Sequence, residues 1–219
     1  FDKSGAVLSP THHYRDARTE KILESGELSK QARNHVVSIS DNSQRLLRLV
    51  NQLLDFRKAE SGNLNLKVSE GNLVRFVREI KLSFDALAEQ MQIRFIMETT
   101  HENIKVWFDR DQFEIILLNL LSNAFKHTPQ HGTIILEIND KGNTVELIVK
   151  DSGKGIKQEH FEHIFQTFFS YDENRQHTGT GIGLALSKSL VEMHQGIILV
   201  ESKEGEYTHF KIILKKGKD

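Results

Sequence analysis

Residues 119–129 read Asn-Leu-Leu-Ser-Asn-Ala-Phe-Lys-His-Thr-Pro, and the helix they close sets the pattern for its surroundings. Over residues 111–126, Phe113, Ile116, Leu117, Leu120, Leu121 and Ala124 recur on one broad apolar face. A face that wide must be covered, and the sequence beyond Pro129 supplies the cover. Residues 133–139 and 144–150 alternate apolar and polar, and Lys141-Gly142-Asn143 between them predicts a hairpin. Helical segments are expected at 158–165 and 181–194, then strands near 197–202 and 208–214. On the other side, LNLKV (64–68) alternates like a short strand, Asn72 can cap a helix to about Gln90, and residues 93–98 read as a strand. Trp107 and Phe108 end another extended piece. The sum is an α/β layer fold with several antiparallel pairs.

Upstream the period changes. Leu28, Ala32, Val36, Ile39, Ser43, Leu46, Val50 and Leu53 recur at steps of four or three, and no Gly or Pro interrupts before Gly62. This predicts a helix of about thirty residues whose seam, widened by Leu47, Leu49 and Leu54, needs a hairpin partner or a second copy of the chain. Residues 9–21 carry only Tyr14 and Ala17 as apolar residues, thin for a helix that must bury a face. Ser61-Gly62-Asn63 is the expected boundary, giving a helical domain at 1–61 and an α/β domain at 62–219.

The 219 residues fit one or two domains. With 29 Lys+Arg against 30 Asp+Glu, no global basic field points to nucleic acid. No apolar run reaches the roughly 18 to 20 residues of a membrane helix. The absence of Cys excludes a disulfide framework, a thiol nucleophile and cysteine-ligated metal, and suits a reducing compartment. A chain opening on Phe1 without a signal-like segment reads as a piece of something longer.

Glycine is concentrated in two places. Asp151-Ser-Gly-Lys-Gly-Ile156 ends a strand, and Thr178-Gly-Thr-Gly-Ile-Gly183 opens a helix. Glycines let a backbone approach a ligand, and free amides at a helix start suit phosphate oxygens; turns alone account for either cluster equally well. The second cluster follows a polar stretch, not a strand, so it is not the dinucleotide fingerprint, and no Gly-Lys-Ser/Thr ending makes it a P-loop. Asn119 and Asn123 lie four apart on one helical face, with Lys126 and His127 a turn beyond. Amide oxygens plus a lysine suit magnesium held against nucleotide phosphates. A merely wet helix face is the competing reading, weakened because Asn is a mediocre helix former inside an apolar stretch.

NLLSNAFKHTP, DSGKGI, HIFQTFF (163–169) and TGTGIGLALS, in this order and spacing, resemble the N, G1, F and G2 boxes of sensor histidine kinases, over about residues 28–214. The resemblance implies an α+β protein: a dimerising helical hairpin, then an α/β sandwich ATPase domain of the gyrase, Hsp90 and histidine kinase type. It implies ATP and Mg2+ as cofactors. Asn123 resembles the magnesium-binding asparagine, with Asn119 assisting; Lys126 resembles the residue that reaches phosphate, and His127 stands where an aromatic often packs near adenine. Asp151 resembles the aspartate that reads the adenine amino group, with Gly153, Gly155 and Ile156 beside the ring. Thr178, Gly179, Thr180, Gly181, Ile182, Gly183 and Leu184 resemble the lid hinge and the helix start that meets the phosphates. Arg175 is placed either to neutralise phosphate or to stand in solvent, and Thr208 lies in a weakened last glycine motif with Tyr207 at an expected Gly.

The resemblance also implies autophosphorylation on a histidine and relay to the aspartate of a response regulator's receiver domain, on this chain or a separate one. FRKAESGNL (56–64) resembles hybrid kinases that carry their own receivers. A homodimer through residues 28–60, and a cytoplasmic position in a membrane-anchored sensor, follow from the same family pattern. The phosphoacceptor box departs from it. Counting back from residues 20–23 places the acceptor on Ala6, and anchoring on Pro10 places it on Gly5. His12 and His13 are the nearby candidates, but neither is followed by the carboxylate that would orient an imidazole for attack. The alternative is therefore a degenerate kinase that binds ATP but signals by conformation or phosphorylates in trans; a dimerising scaffold is a third reading. Residues 9–21 are expected to form a shorter or less regular helix than 28–60. His160 and His163, three apart, lack a third metal ligand and are expected at the surface.

Overall fold

The computed structural model describes residues 30–61, 64–169 and 181–217. The expected first helix, the candidates His12 and His13, and Arg175, Thr178, Gly179 and Thr180 lie outside the described residues. The chain divides into two units, residues 1–54 and 55–219.

In the first unit the heptad pattern does form helix, within α1 (Lys30–Glu60). Its seam is open to solvent in the isolated chain: Ile39 and Leu46 are 66% and 64% exposed, and Leu47, Val50, Leu53 and Leu54 are exposed as well.

The second unit begins with the last turns of α1, where Ala59 is buried and Phe56 packs against the core. It continues through β1 (Ser69–Asn72), α2 (Leu73–Gln90), β2 (Arg94–Thr99), β3 (Lys105–Phe108), α3 (Arg110–His127), β4 (Thr133–Asp140), β5 (Thr144–Asp151), a 3-10 turn at Gln158–His160, α4 (Gly183–Met193), β6 (Ile197–Lys203) and β7 (Tyr207–Lys215). Five strands form one sheet in the order β2-β4-β5-β7-β6, with β2 and β4 parallel and the other pairs antiparallel. Period-two alternation puts Ile134, Leu136 and Ile138 of β4, Val145, Leu147 and Val149 of β5 and Phe210, Ile212 and Leu214 of β7 into the core. The apolar face of α3 meets them: Phe113, Ile116, Leu117, Leu120 and Leu121 are all fully buried.

The cap reading of Asn72 is correct, since its Oδ1 accepts the N–H groups of Val74 (3.0 Å) and Arg75 (3.3 Å). Two expectations fail. LNLKV has no regular structure; the strand is Ser69–Asn72, because antiparallel pairing with Lys105–Phe108 decides where extended chain becomes sheet. Residues 158–165 form only a 3-10 turn and further turns. His160, expected at the surface, is half-buried, and its ring lies 5.6 Å from that of Phe169.

Asp109 and His194 lock α3 to α4. Asp109 is buried at the N-cap of α3, where Oδ1 accepts from Asp111 and Gln112 (both 3.1 Å) and Oδ2 accepts the Lys67 N–H at 2.6 Å. Its own N–H donates to Nε2 of His194 (3.0 Å), whose Nδ1 lies 2.7 Å from the Leu190 carbonyl. That geometry requires the neutral Nδ1–H tautomer, and burial accordingly pulls the His194 pKa down.

Candidate nucleotide-binding site

The end of β5, the end of α3 and the start of α4 converge through glycine and amide contacts. Beyond Asp151 the chain turns against the C-terminus of α3, where Lys154 N–H meets the His127 carbonyl at 3.4 Å. Only glycine fits at 153, since a Cβ there would lie 2.5 Å from the His127 oxygen and 2.6 Å from Asp151 Oδ1. Gly155 has φ +64°, and a Cβ would collide with the Lys203 carbonyl under the β6–β7 turn. The Gly205 N–H closes this corner by donating to the Lys154 carbonyl (2.7 Å).

Asp151 is paired in register with Thr208 of β7, and both are buried. Ser202 organises their flank: its Oγ accepts the Ile156 N–H at 2.8 Å and lies 3.1 Å from Thr208 Oγ1. Burial pushes the Asp151 carboxyl up to about 7, although the Gly153 N–H, donating to Oδ1 at 2.9 Å, favours the charged form. A carboxylate held in a dry corner beside a glycine turn can read a flat ring carrying an N–H donor.

At the opposite wall Gly181 has φ +68°, and its carbonyl accepts the Phe168 N–H at 2.8 Å. Phe168 is itself at φ +64° and is exposed, so this bond joins two residues in the left-handed backbone region, which is strained for the phenylalanine. Ile182 is buried and Leu184 half-buried at the start of α4. Asn119 crosses from α3 to this helix, donating from Nδ2 to the Gly183 carbonyl (3.1 Å) and to Ser187 Oγ (3.3 Å). Asn123, Lys126 and His127 follow on α3, all half-buried.

The described members of the sequence-derived set thus lie on four segments: the end of β5 with its turn, β7 at Thr208, α3 and the start of α4. Ser187, Ser202 and Phe168 were not singled out from sequence. Phe168 lies within HIFQTFF and Ser187 ends TGTGIGLALS, so both carried a motif-level signal, whereas Ser202 carried none. A magnesium ion fits the two amides. With Nδ2 of Asn119 engaged, its Oδ1 is left for a cation, and Asn123 lies one turn away on the same helix. Two neutral oxygens are too few for a protein cage and suit an ion that keeps waters and phosphate oxygens. Among the described residues no cluster of three or more His, Asp and Glu offers another metal site, and no helix is long and apolar enough to cross a membrane.

Comparison with known proteins agrees with this fold. Residues 108–218 match the family of histidine kinase-, DNA gyrase B- and HSP90-like ATPases. Histidine kinase P4 of Formosa agariphila is 34% identical over 204 residues, which cover 91% of this chain and 15% of that protein. The catalytic domain of histidine kinase ThkA in a nucleotide-free form matches with a TM-score of 0.63 and 31% identity, over 69% of this chain and 99% of that one. ThkA in complex with the response regulator TrrA matches with a TM-score of 0.69 and 28% identity, over 91% of this chain and 55% of that one. The chain spans 12 to 25% of the first three curated relatives it matches. On this agreement of sequence and fold, the chain belongs to the histidine kinase-, DNA gyrase B- and HSP90-like ATPase family as a sensor histidine kinase catalytic domain.

Proposed function

We propose that this chain is the kinase core of a two-component sensor, with residues 62–219 binding Mg-ATP and residues 1–61 forming the dimerisation and phosphoacceptor-like hairpin. The observation that carries the reading is the buried carboxyl of Asp151 at the glycine turn, beside Thr208 and facing the end of α3. In this reading Asp151 accepts from the adenine amino group, Gly153 and Gly155 admit the ring, and Lys126 meets phosphate. Asn123 and Asn119 hold magnesium, which neutralises charge on the phosphates when bound. Phosphoryl transfer needs chiefly positioning and charge stabilisation, and the frame built from α3, α4 and the turn after β5 supplies both.

The product is a phosphohistidine that passes its phosphoryl group to a receiver aspartate. The complex of ThkA with a response regulator supports that kind of partner. The exposed seam of α1 supports a homodimer through residues 28–60, and a cytoplasmic position next to a membrane anchor belongs to the same reading.

Incubation with radiolabelled Mg-ATP tests the reading. Label that is acid-labile, alkali-stable and lost in Asn123→Ala is the expected result, and His12 and His13 are the first acceptors to replace. Failure to bind ATP at all would refute it. ATP binding without label would move the acceptor to a partner and favour the degenerate kinase.

A further inference from the structure

Ser187 is wholly buried in α4, where the other buried residues, Ala185, Leu186, Leu190 and Val191, are apolar. A hydroxyl in such a place is costly unless it is bonded. Its Oγ donates to the Gly183 carbonyl at 2.9 Å and accepts from Asn119 Nδ2 at 3.3 Å. The first bond is the local back-bond that helical serines commonly make. The second is not local, because it joins residues 68 apart in sequence and on different helices.

The pair of contacts settles which end of the Asn119 amide points where. A backbone carbonyl only accepts, so the group 3.1 Å from the Gly183 oxygen is Nδ2. The same Nδ2 also lies 3.3 Å from Ser187 Oγ, and a flipped amide would set Oδ1 against the Gly183 oxygen. Oδ1 therefore lies over the first residue of α4, where a Cβ built on Gly183 would stand 3.2 Å from it.

We infer that Ser187 is a positioning residue for the nucleotide's magnesium ion, holding the Asn119 amide so that Oδ1 faces the cation. The inference rests on the reading of Asn119 as a magnesium-side residue. Outer partners that orient a ligand typically change metal affinity 10- to 100-fold when lost, and a neutral hydroxyl acting on one of two amides belongs at the lower end.

The test compares the full chain with Ser187→Ala, Asn119→Ala and the double variant. The Mg2+ concentration for half-maximal ATP binding is read by displacement of a fluorescent ATP analogue. ATP affinity in EDTA and thermal unfolding without nucleotide are read alongside. Ser187→Ala should raise the Mg2+ requirement about tenfold, leave the EDTA affinity within about twofold, and add nothing in the Asn119→Ala background. Ser187→Cys keeps the volume, has only a weak acceptor and should raise the requirement too; it carries the test if the alanine variant does not fold. The same rise in both backgrounds, or none in Ser187→Ala while Asn119→Ala shows one, overturns the inference. An unchanged requirement in Asn119→Ala itself overturns the assignment of Asn119, a separate failure that takes the inference with it.

Discussion

Replacing Asp151 with Asn should flatten the pH dependence of this protein's stability. Burial raises the carboxyl from its ordinary 3.8 to about 7, so the folded chain keeps a proton that the unfolded chain has already released. A group raised on folding contributes stability that is full below its unfolded pKa and is lost as pH rises through its folded pKa. Each pKa unit is worth about 1.4 kcal/mol, and roughly two units of the difference fall between pH 5 and 8. The nucleotide-free protein should therefore lose about 2 to 3 kcal/mol from this group across that range, and Asp151→Asn should not. Urea unfolding of both proteins at pH 5, 6, 7 and 8 measures the difference directly, because other titrating groups are common to the pair. ATP affinity should move the opposite way. In the proposed function an adenine amino group donates to the carboxylate, whose ionised fraction rises about tenfold from pH 6 to pH 8, so the apparent Kd should fall by about that factor. Parallel stability profiles for the two proteins would refute the reasoning that Asp151 is desolvated in the folded state.

His194 gives a slope of the other sign. Its pKa is pulled down by burial, so the stability it confers is present above its unfolded pKa of about 6.5 and fades as pH falls below it. His194→Phe should cost about 1 to 3 kcal/mol at pH 7.5 and remove that acid-side loss, as read by urea unfolding at pH 5 and 7.5. Gly153→Ala forces a Cβ against two oxygens and should cost about 1 to 3 kcal/mol, with weakened ATP binding by calorimetry. Leu46→Lys or Val50→Glu should shift the protein from dimer to monomer in sedimentation velocity, since both exposed positions lie on the heptad seam; an unchanged sedimentation coefficient counts against the seam as the dimer contact. Leu120→Ala, at a wholly buried position of α3, should cost about 2 to 5 kcal/mol in chemical denaturation.

Elements whose information lies within a few residues were readable in advance. The face of α3 repeats at three and four residues, β4 and β5 alternate at two, and Asn72 stands where a cap belongs. The strand placed at 64–68 was wrong for the converse reason. Alternation over five residues says nothing about a partner, and Ser-Glu-Gly-Asn (69–72), with poor strand formers, pairs because Lys105–Phe108 lies beside it. The helical reading of 158–165 failed likewise, since those residues settle as turns and bring His160 against Phe169.

Within the candidate site, the glycines at 153, 155, 181 and 183 were legible because close approach of other segments of the chain restricts residue type, and the pair Asn119 and Asn123 because asparagine is a mediocre helix former. Their partners were not. The order of motifs along the chain was enough for the ATPase sandwich. Which end of the Asn119 amide meets α4, the neutral tautomer of His194 and the raised pKa of Asp151 emerged only from the packed fold. Each depends on groups 64 to 85 residues away in sequence or on the exclusion of water by the whole sheet, and hydrogen-bond direction and desolvation exist only once distant segments have come together.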